Sequence, residues 1–139
     1  MRTVPSSHID LLTAPVVAVL TTLMPDGQPH SCLVWADYDG GCARVTTTLQ
    51  RRSGRNLLAD PRLSLLVVDP DNTARYLQIR GAAEFVRAGA VAHLDALTRQ
   101  YTGHPCFYGH VYPLAQRDRE TRVTVRIRPS RVTVDAIHP

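Results

Sequence analysis

The apolar positions of this chain fall in short β-rich runs separated by turn residues, and only late in the sequence does the spacing change to that of a helix. Val16 to Leu23 (VVAVLTTL) reads as a strand. Pro25-Asp26-Gly27 then supplies a preset φ, a side-chain acceptor and a free φ, so His30 to Tyr38 returns as the second arm of a hairpin. Asp39-Gly40-Gly41 turns the chain again into Cys42 to Thr48, making a three-stranded meander. A continuous apolar strand follows at Leu63 to Asp69. Arg75 to Val86 is long for a strand, and Gly81 inside it marks a bulge or bend of the kind that lets a small barrel curl. Near the end, Thr121, Val123, Val125 and Ile127 alternate with Arg122, Thr124, Arg126 and Arg128, which puts the second set outside. Pro129 separates that strand from a last one at Arg131 to Ala136.

Helices interrupt the pattern. Ser6 to Leu12 reads as a short capped N-terminal helix with His8 exposed. Arg55 to Ala59 forms another, stopped by Asp60-Pro61 because proline cannot continue it and restricts its predecessor. Val91, Leu94, Leu97 and Tyr101 share a face at helical spacing within Gly89 to Tyr101, and Gly103 ends that helix. His104 to Asp118 is a long irregular segment with two histidines, a phenylalanine and two tyrosines, and ordered loops of that length are often functional. The pattern predicts a mainly β fold with helical insertions: a small antiparallel barrel of six or seven strands, formed by residues 1–139 as one domain.

Composition narrows the picture. At 139 residues and 44% hydrophobic content the chain can bury a proper core. No apolar run approaches a membrane span and Met1 to Ala14 lacks the apolar middle of a signal peptide, so the expected location is cytoplasmic, away from membranes. Cys32, Cys42 and Cys106 are odd in number and widely spaced, which predicts reduced, buried thiols and no metal site. The net charge of +4 favours anionic partners, and all 16 basic residues are arginine. They are scattered, and aromatic content is 6%, which argues against nucleic acid because no stacking platform accompanies the charge.

One stretch concentrates the chemistry. Val45-Thr46-Thr47-Thr48 ends in hydroxyls and hands over, through Arg51, Arg52, Ser53, Gly54 and Arg55, to a helix start. Unpaired backbone N–H groups, the positive end of a helix dipole and hydroxyl donors meet there, which suits an anion. Guanidiniums beside it can grip phosphate or carboxylate oxygens in two-pronged hydrogen bonds. The plainer reading makes the arginines a solvated face and Ser53 an N-cap.

The series TTLMPDGQPHSCLVW, VTTT, GRNLLADPRLSLLVVDPDNTARYLQIRG and RVTVRIRPSRV resembles the pyridoxamine-phosphate-oxidase-like split β-barrel family over roughly Val16 to Val134. The pattern is most similar to members that use the deazaflavin coenzyme F-420 in place of FMN. That resemblance implies a homodimer with two cofactor sites at the subunit interface. It maps the cofactor phosphate and polar chain onto Thr47, Thr48, Arg51, Arg52, Ser53, Arg55 and Asn56, with Arg75 and Tyr76 near the ring. Many relatives carry lysine where this chain has Ser53. Trp35, Tyr108 and His110 are candidates for a substrate pocket.

No Ser-His-Asp, Cys-His or paired-carboxylate arrangement stands out, and Glu84 and Glu120 are the only glutamates, which fits chemistry carried by a bound ring. The resemblance implies an F-420-dependent reductase passing hydride to an electrophilic conjugated small molecule. His104, Tyr108, His110, Tyr112 or solvent would deliver the proton. Two alternatives stay open: an FMN-dependent oxidase or reductase of the pyridoxamine-phosphate-oxidase type, and a non-catalytic protein that carries the cofactor or haem.

Overall fold

The structure is a computed structural model that describes residues 1–135. Its seven strands are β1 (Ala18–Leu23), β2 (Pro29–Val34), β3 (Ala36–Asp39), β4 (Cys42–Thr48), β5 (Arg62–Val68), β6 (Tyr76–Val86) and β7 (Arg122–Val134). They form one antiparallel sheet in the order β2-β1-β5-β6-β7-β4-β3. The two edge strands, β2 and β3, are joined in sequence by Trp35 alone. A sheet whose edges are one residue apart has to curl until they meet, and the result is a split barrel.

That closure corrects the meander. His30 to Tyr38 is not one strand: it breaks at Trp35, and its halves pair on opposite margins, β2 with β1 and β3 with β4. An unbroken apolar run, Cys32 to Ala36, carries through the break, so the sequence shows no boundary there. The register of β3 ends at Ala36↔Val45, which leaves Thr46 to Thr48 with β7 on one side and no strand on the other. The barrel is split at that gap.

Inward-facing residues fill the barrel. Leu20, Leu65, Leu77, Ile79, Val45, Val125 and Ile127 are buried in one cluster, joined by Leu11 and Leu12 of α1 (Asp10–Thr13) and Leu57 of α2 (Arg52–Ala59). Each such leucine contributes roughly 1.5–3 kcal/mol by leaving water. The bulge expected at Gly81 is present as a register shift between Arg80 and Gly81, opposite Pro129. A Cβ on Gly81 would lie 2.2 Å from the Arg128 carbonyl oxygen, so only glycine lets the two backbones approach there. Pro129 therefore does not break the last strand. The bulge absorbs its missing donor, and β7 runs on to Val134; Ala136, the expected end, lies outside the described residues.

Two further expectations are corrected. His8 is buried, because its ring sits 3.0 Å from Asp135 Oδ1 and 2.8 Å from Ser7 Oγ; the N-terminal segment is a 3-10 turn, Ser6–His8, followed by α1. Neither turn carries a side-chain cap. Arg122 and Thr124 are also buried rather than outside, since α3 (Ala90–Thr102) and the segment after it cover the outer face of β7. Gly103, at φ +80°, ends α3 as expected. The three cysteines are free and half-buried rather than fully buried.

Beneath α3 lies a polar cluster. His93 places one ring nitrogen 2.8 Å from Thr124 Oγ1 and the other 2.9 Å from Asp37 Oδ2, and Arg44 donates two hydrogen bonds to Asp37, at 2.9 and 2.7 Å. Burial pushes the Asp37 carboxyl upward, but hydrogen bonds and charge from His93 and Arg44 together outweigh it and hold the group below the usual carboxylate range. A depressed folded value means the stabilisation is present above the unfolded value of about 3.9 and is lost as pH falls through the folded one. Asp37→Asn is expected to cost about 1–2 kcal/mol at neutral pH. It is also expected to flatten the fall in stability below about pH 4, read from urea melts across that range.

Candidate functional site

The split gathers the end of β4 and the start of α2. The Thr47 and Ser53 hydroxyls, both buried, are 2.7 Å apart, and the backbone N–H of Arg51 donates to Thr48 Oγ1 at 3.0 Å. Gly54 completes the junction. A Cβ there would lie 1.8 Å from the Thr48 carbonyl oxygen, so strand and helix touch backbone to backbone. No side chain caps α2, whose N-cap is Arg51 and not Ser53. Its first-turn N–H groups and positive dipole end are therefore free for an anion.

A cavity of about 470 Å³ opens beside this junction. Thr47, Arg51, Arg52 and Ser53 form its polar end. His30, Cys32 and Val34 line one wall from alternate positions of β2, followed by Trp35. Thr46, Leu94, Phe107 and Arg122 complete the lining. Trp35 stacks on Tyr101 at 5.4 Å and meets the edge of Phe107 at 6.2 Å, which fixes the planar wall. The rim carries Val17, Leu33 and Val111, all exposed aliphatics. Burial pushes the Cys32 thiol up despite the neighbouring Ser53 hydroxyl and Arg51 charge, so it stays protonated at neutral pH. His30 Nδ1 is buried without a hydrogen-bond partner among the described residues. Such an atom in a cavity wall is a place for a ligand's polar group.

Of the residues the sequence pointed to, the cavity brings together Thr47, Arg51, Arg52, Ser53 and Trp35. Thr48 lies beneath it as the cap of Arg51. Asn56 is buried one turn further on, where its Nδ2 donates to Thr22 Oγ1 at 3.0 Å and approaches Met24 Sδ at 3.5 Å. Arg55 is exposed and outside the lining. Arg75 ties three segments together by donating to Asp10, Asp69 and the Ser7 carbonyl, and does not line the cavity. Neither does Tyr76, whose backbone N–H donates to Asp135 Oδ1 at 2.9 Å.

Of the aromatic loop, Tyr108 is buried beside Phe107 and donates to Glu120 Oε2 at 2.6 Å. His110 is exposed, 3.2 Å from Cys106 Sγ, with the His104 ring 5.5 Å away. The Tyr112 ring lies under the Arg51 guanidinium at 5.9 Å. Residues the sequence reading missed are Thr46, His30, Cys32, Leu94, Phe107 and Arg122. His30 and Cys32 occupy the same alternate positions of β2 as Val34, so they follow once Val34 is known to face the cavity. Arg122 had no such signal, because its strand pattern puts it outside.

The sequence model of the pyridoxamine 5'-phosphate oxidase family matches residues 6–134. Among solved structures, an F420 reductase is similar at 34% identity and a TM-score of 0.79, over 94% of this chain and 98% of that one. A conserved hypothetical protein from Mycobacterium tuberculosis is similar at 28% identity and a TM-score of 0.72, covering 96% of this chain and 86% of that one. A heme binding protein from Mycobacterium smegmatis shares the fold at 23% identity and a TM-score of 0.59, over 95% of this chain and 55% of that one. Comparison with functionally curated proteins gives no match. Among the described residues, no helix is long and apolar enough to cross a membrane.

Proposed function

The chain belongs to the pyridoxamine 5'-phosphate oxidase family, whose fold is an oxidoreductase-type flavin or deazaflavin carrier, and from that premise we propose that it is a reductase that binds coenzyme F-420 and transfers hydride to an electrophilic conjugated small molecule. The observation that carries the reading is a single cavity with a cationic, hydroxyl-rich end and a planar apolar wall. That donor set fits a ring carrying a phosphate tail. Arg51, Arg52, the Ser53 hydroxyl and the first-turn N–H groups of α2 would hold the phosphate, and Val34, Trp35 and Phe107 would flank the ring and exclude water. When bound, the cofactor supplies the hydride. In this assignment Arg75 serves as the tie of the N-terminal segment.

FMN is the alternative cofactor. The two separate by titrating the protein with each and following the fluorescence of Trp35, the only tryptophan, which lies in the cavity wall. Saturable quenching with tighter binding of F-420 is expected. Tighter binding of FMN would replace this reading with an FMN oxidase or reductase.

The proposal includes a homodimer of single-domain chains that covers the rim. Leu33, Val17 and Val111, all on the cavity lining, are 75%, 48% and 42% exposed, and exposed aliphatic surface beside a cavity is what a second copy would bury. Leu33→Asp is expected to shift the protein from dimer to monomer in sedimentation analysis and to weaken cofactor binding with it. An unaltered dimer would place the interface elsewhere.

A further inference from the structure

Arg122 is a charged side chain taken almost wholly out of water, 6% exposed, at the wall of the cavity. Burying a guanidinium costs several kcal/mol unless its hydrogen bonds are met. Its Nε and Nη2 are met: both reach the Tyr108 hydroxyl, at 3.4 and 3.2 Å, and Nη2 also reaches Glu120 Oε2 at 3.3 Å. The Phe107 ring covers its face at 5.2 Å. Nη1 differs, since its one hydrogen-bonding contact among the described residues is Thr46 Oγ1 at 3.5 Å, the outer limit of such a bond. Thr46, like Arg122, lines the cavity. Arg51 and Arg52 lie instead at the polar end beside α2.

We propose that Arg122, through Nη1, is the residue that recognises the electron acceptor, receiving the carbonyl oxygen of a substrate whose reducible double bond is conjugated to it, as in an enone or a quinone. This rests on the reductase reading above. Hydride from the reduced deazaflavin forms a C–H bond at the carbon β to the carbonyl, the π pair moves toward the carbonyl, and negative charge arrives on oxygen as an enolate. A proton from solvent then completes the α-carbon and restores the carbonyl. A fixed guanidinium N–H beside that oxygen stabilises the charge as it develops, and does so more strongly in a cavity walled by Trp35, Leu94 and Phe107 than in water. Glu120 engages Nη2, at 3.3 Å, and leaves the Nη1 N–H groups for the substrate oxygen. Burial, then Glu120, push the Tyr108 phenol up, so it remains a neutral donor to Glu120 at working pH.

The test uses 4-nitrophenol, whose coloured phenolate mimics an enolate oxygen. The parent protein is expected to bind the phenolate in preference to the phenol, in competition with cyclohex-2-enone. Arg122→Gln is expected to lose at least about tenfold in phenolate affinity, the loss of one charge-assisted hydrogen bond. Because that change strands Glu120, the double variant Arg122→Gln with Glu120→Gln is measured beside it and should show the same loss in a folded protein, checked by circular dichroism. Absence of phenolate binding by the parent, or equal binding by parent and double variant, overturns the proposal. Cofactor affinity of the parent, read separately from Trp35 fluorescence, tests the reductase reading, so the two fail apart.

Discussion

Gly54→Ala is expected to destabilise the protein by roughly 3 kcal/mol or more, at the upper end of what overpacking costs. The new methyl would sit 1.8 Å from the Thr48 carbonyl oxygen and 2.8 Å from its carbon. Neither can step aside as a side-chain tip could. Thr48 is fixed in the ladder opposite Arg122, and its hydroxyl caps Arg51, so α2 would be driven away from β4 as a unit. Thermal melts should show a fall on the order of 10 °C, and the cavity's polar end should lose its geometry along with its stability. Leu58→Ala is the control on the same helix: Leu58 is 58% exposed, so the change should stay within about 0.5 kcal/mol. A Gly54→Ala protein as stable as the Leu58→Ala one would mean that strand and helix are not in backbone contact.

Arg52→Ala is expected to weaken cofactor binding by about 1.5–3 kcal/mol, roughly ten- to a hundredfold, while leaving the melting temperature near that of the parent. Arg52 lies in the first turn of α2 and lines the cavity's polar end, but none of the core packing depends on it. Arg51→Ala should behave similarly and lose in addition its contact over Tyr112. Arg55→Ala is the informative contrast, because Arg55 is exposed one turn along, outside the lining. Isothermal titration of the three variants would rank them. Equal losses at Arg52 and Arg55 would mean that the phosphate lies along the outside of the helix and not in the cavity.

The two experiments probe one junction at different levels, and it was only partly legible beforehand. Threonines at a strand end followed by arginines and small residues are visible in any reading of the chain, and they suit an anion because of what hydroxyls, guanidiniums and first-turn amides can do. Which of those side chains face the cavity was not visible. Helical phase decides that, and α2 begins at Arg52 rather than at Arg55, which moves Arg52 and Ser53 onto the lining and Arg55 off it. Arg75 shows the same limit. It follows a turn at the head of β6, and its partner Asp10 stands 65 positions away in sequence.

Local rules set what could be read from the chain alone. Alternation of period two gave the strands, glycine and proline chemistry gave the turns and the bulge at Gly81, and helical spacing gave α3, because each of these depends on residues a few positions apart. Sheet order, the break at Trp35 and the burial of Arg122 depend on what folds over what. β2 and β3 reach opposite margins of the sheet only because the barrel closes, and Arg122 leaves water only because α3 and the Phe107 loop settle on the face its own strand pattern turns toward solvent. Closure and covering are contacts between segments tens of residues apart, which is why the cationic, hydroxyl-rich end of the cavity was legible in the sequence and the part lined by Arg122 was decided by the tertiary structure.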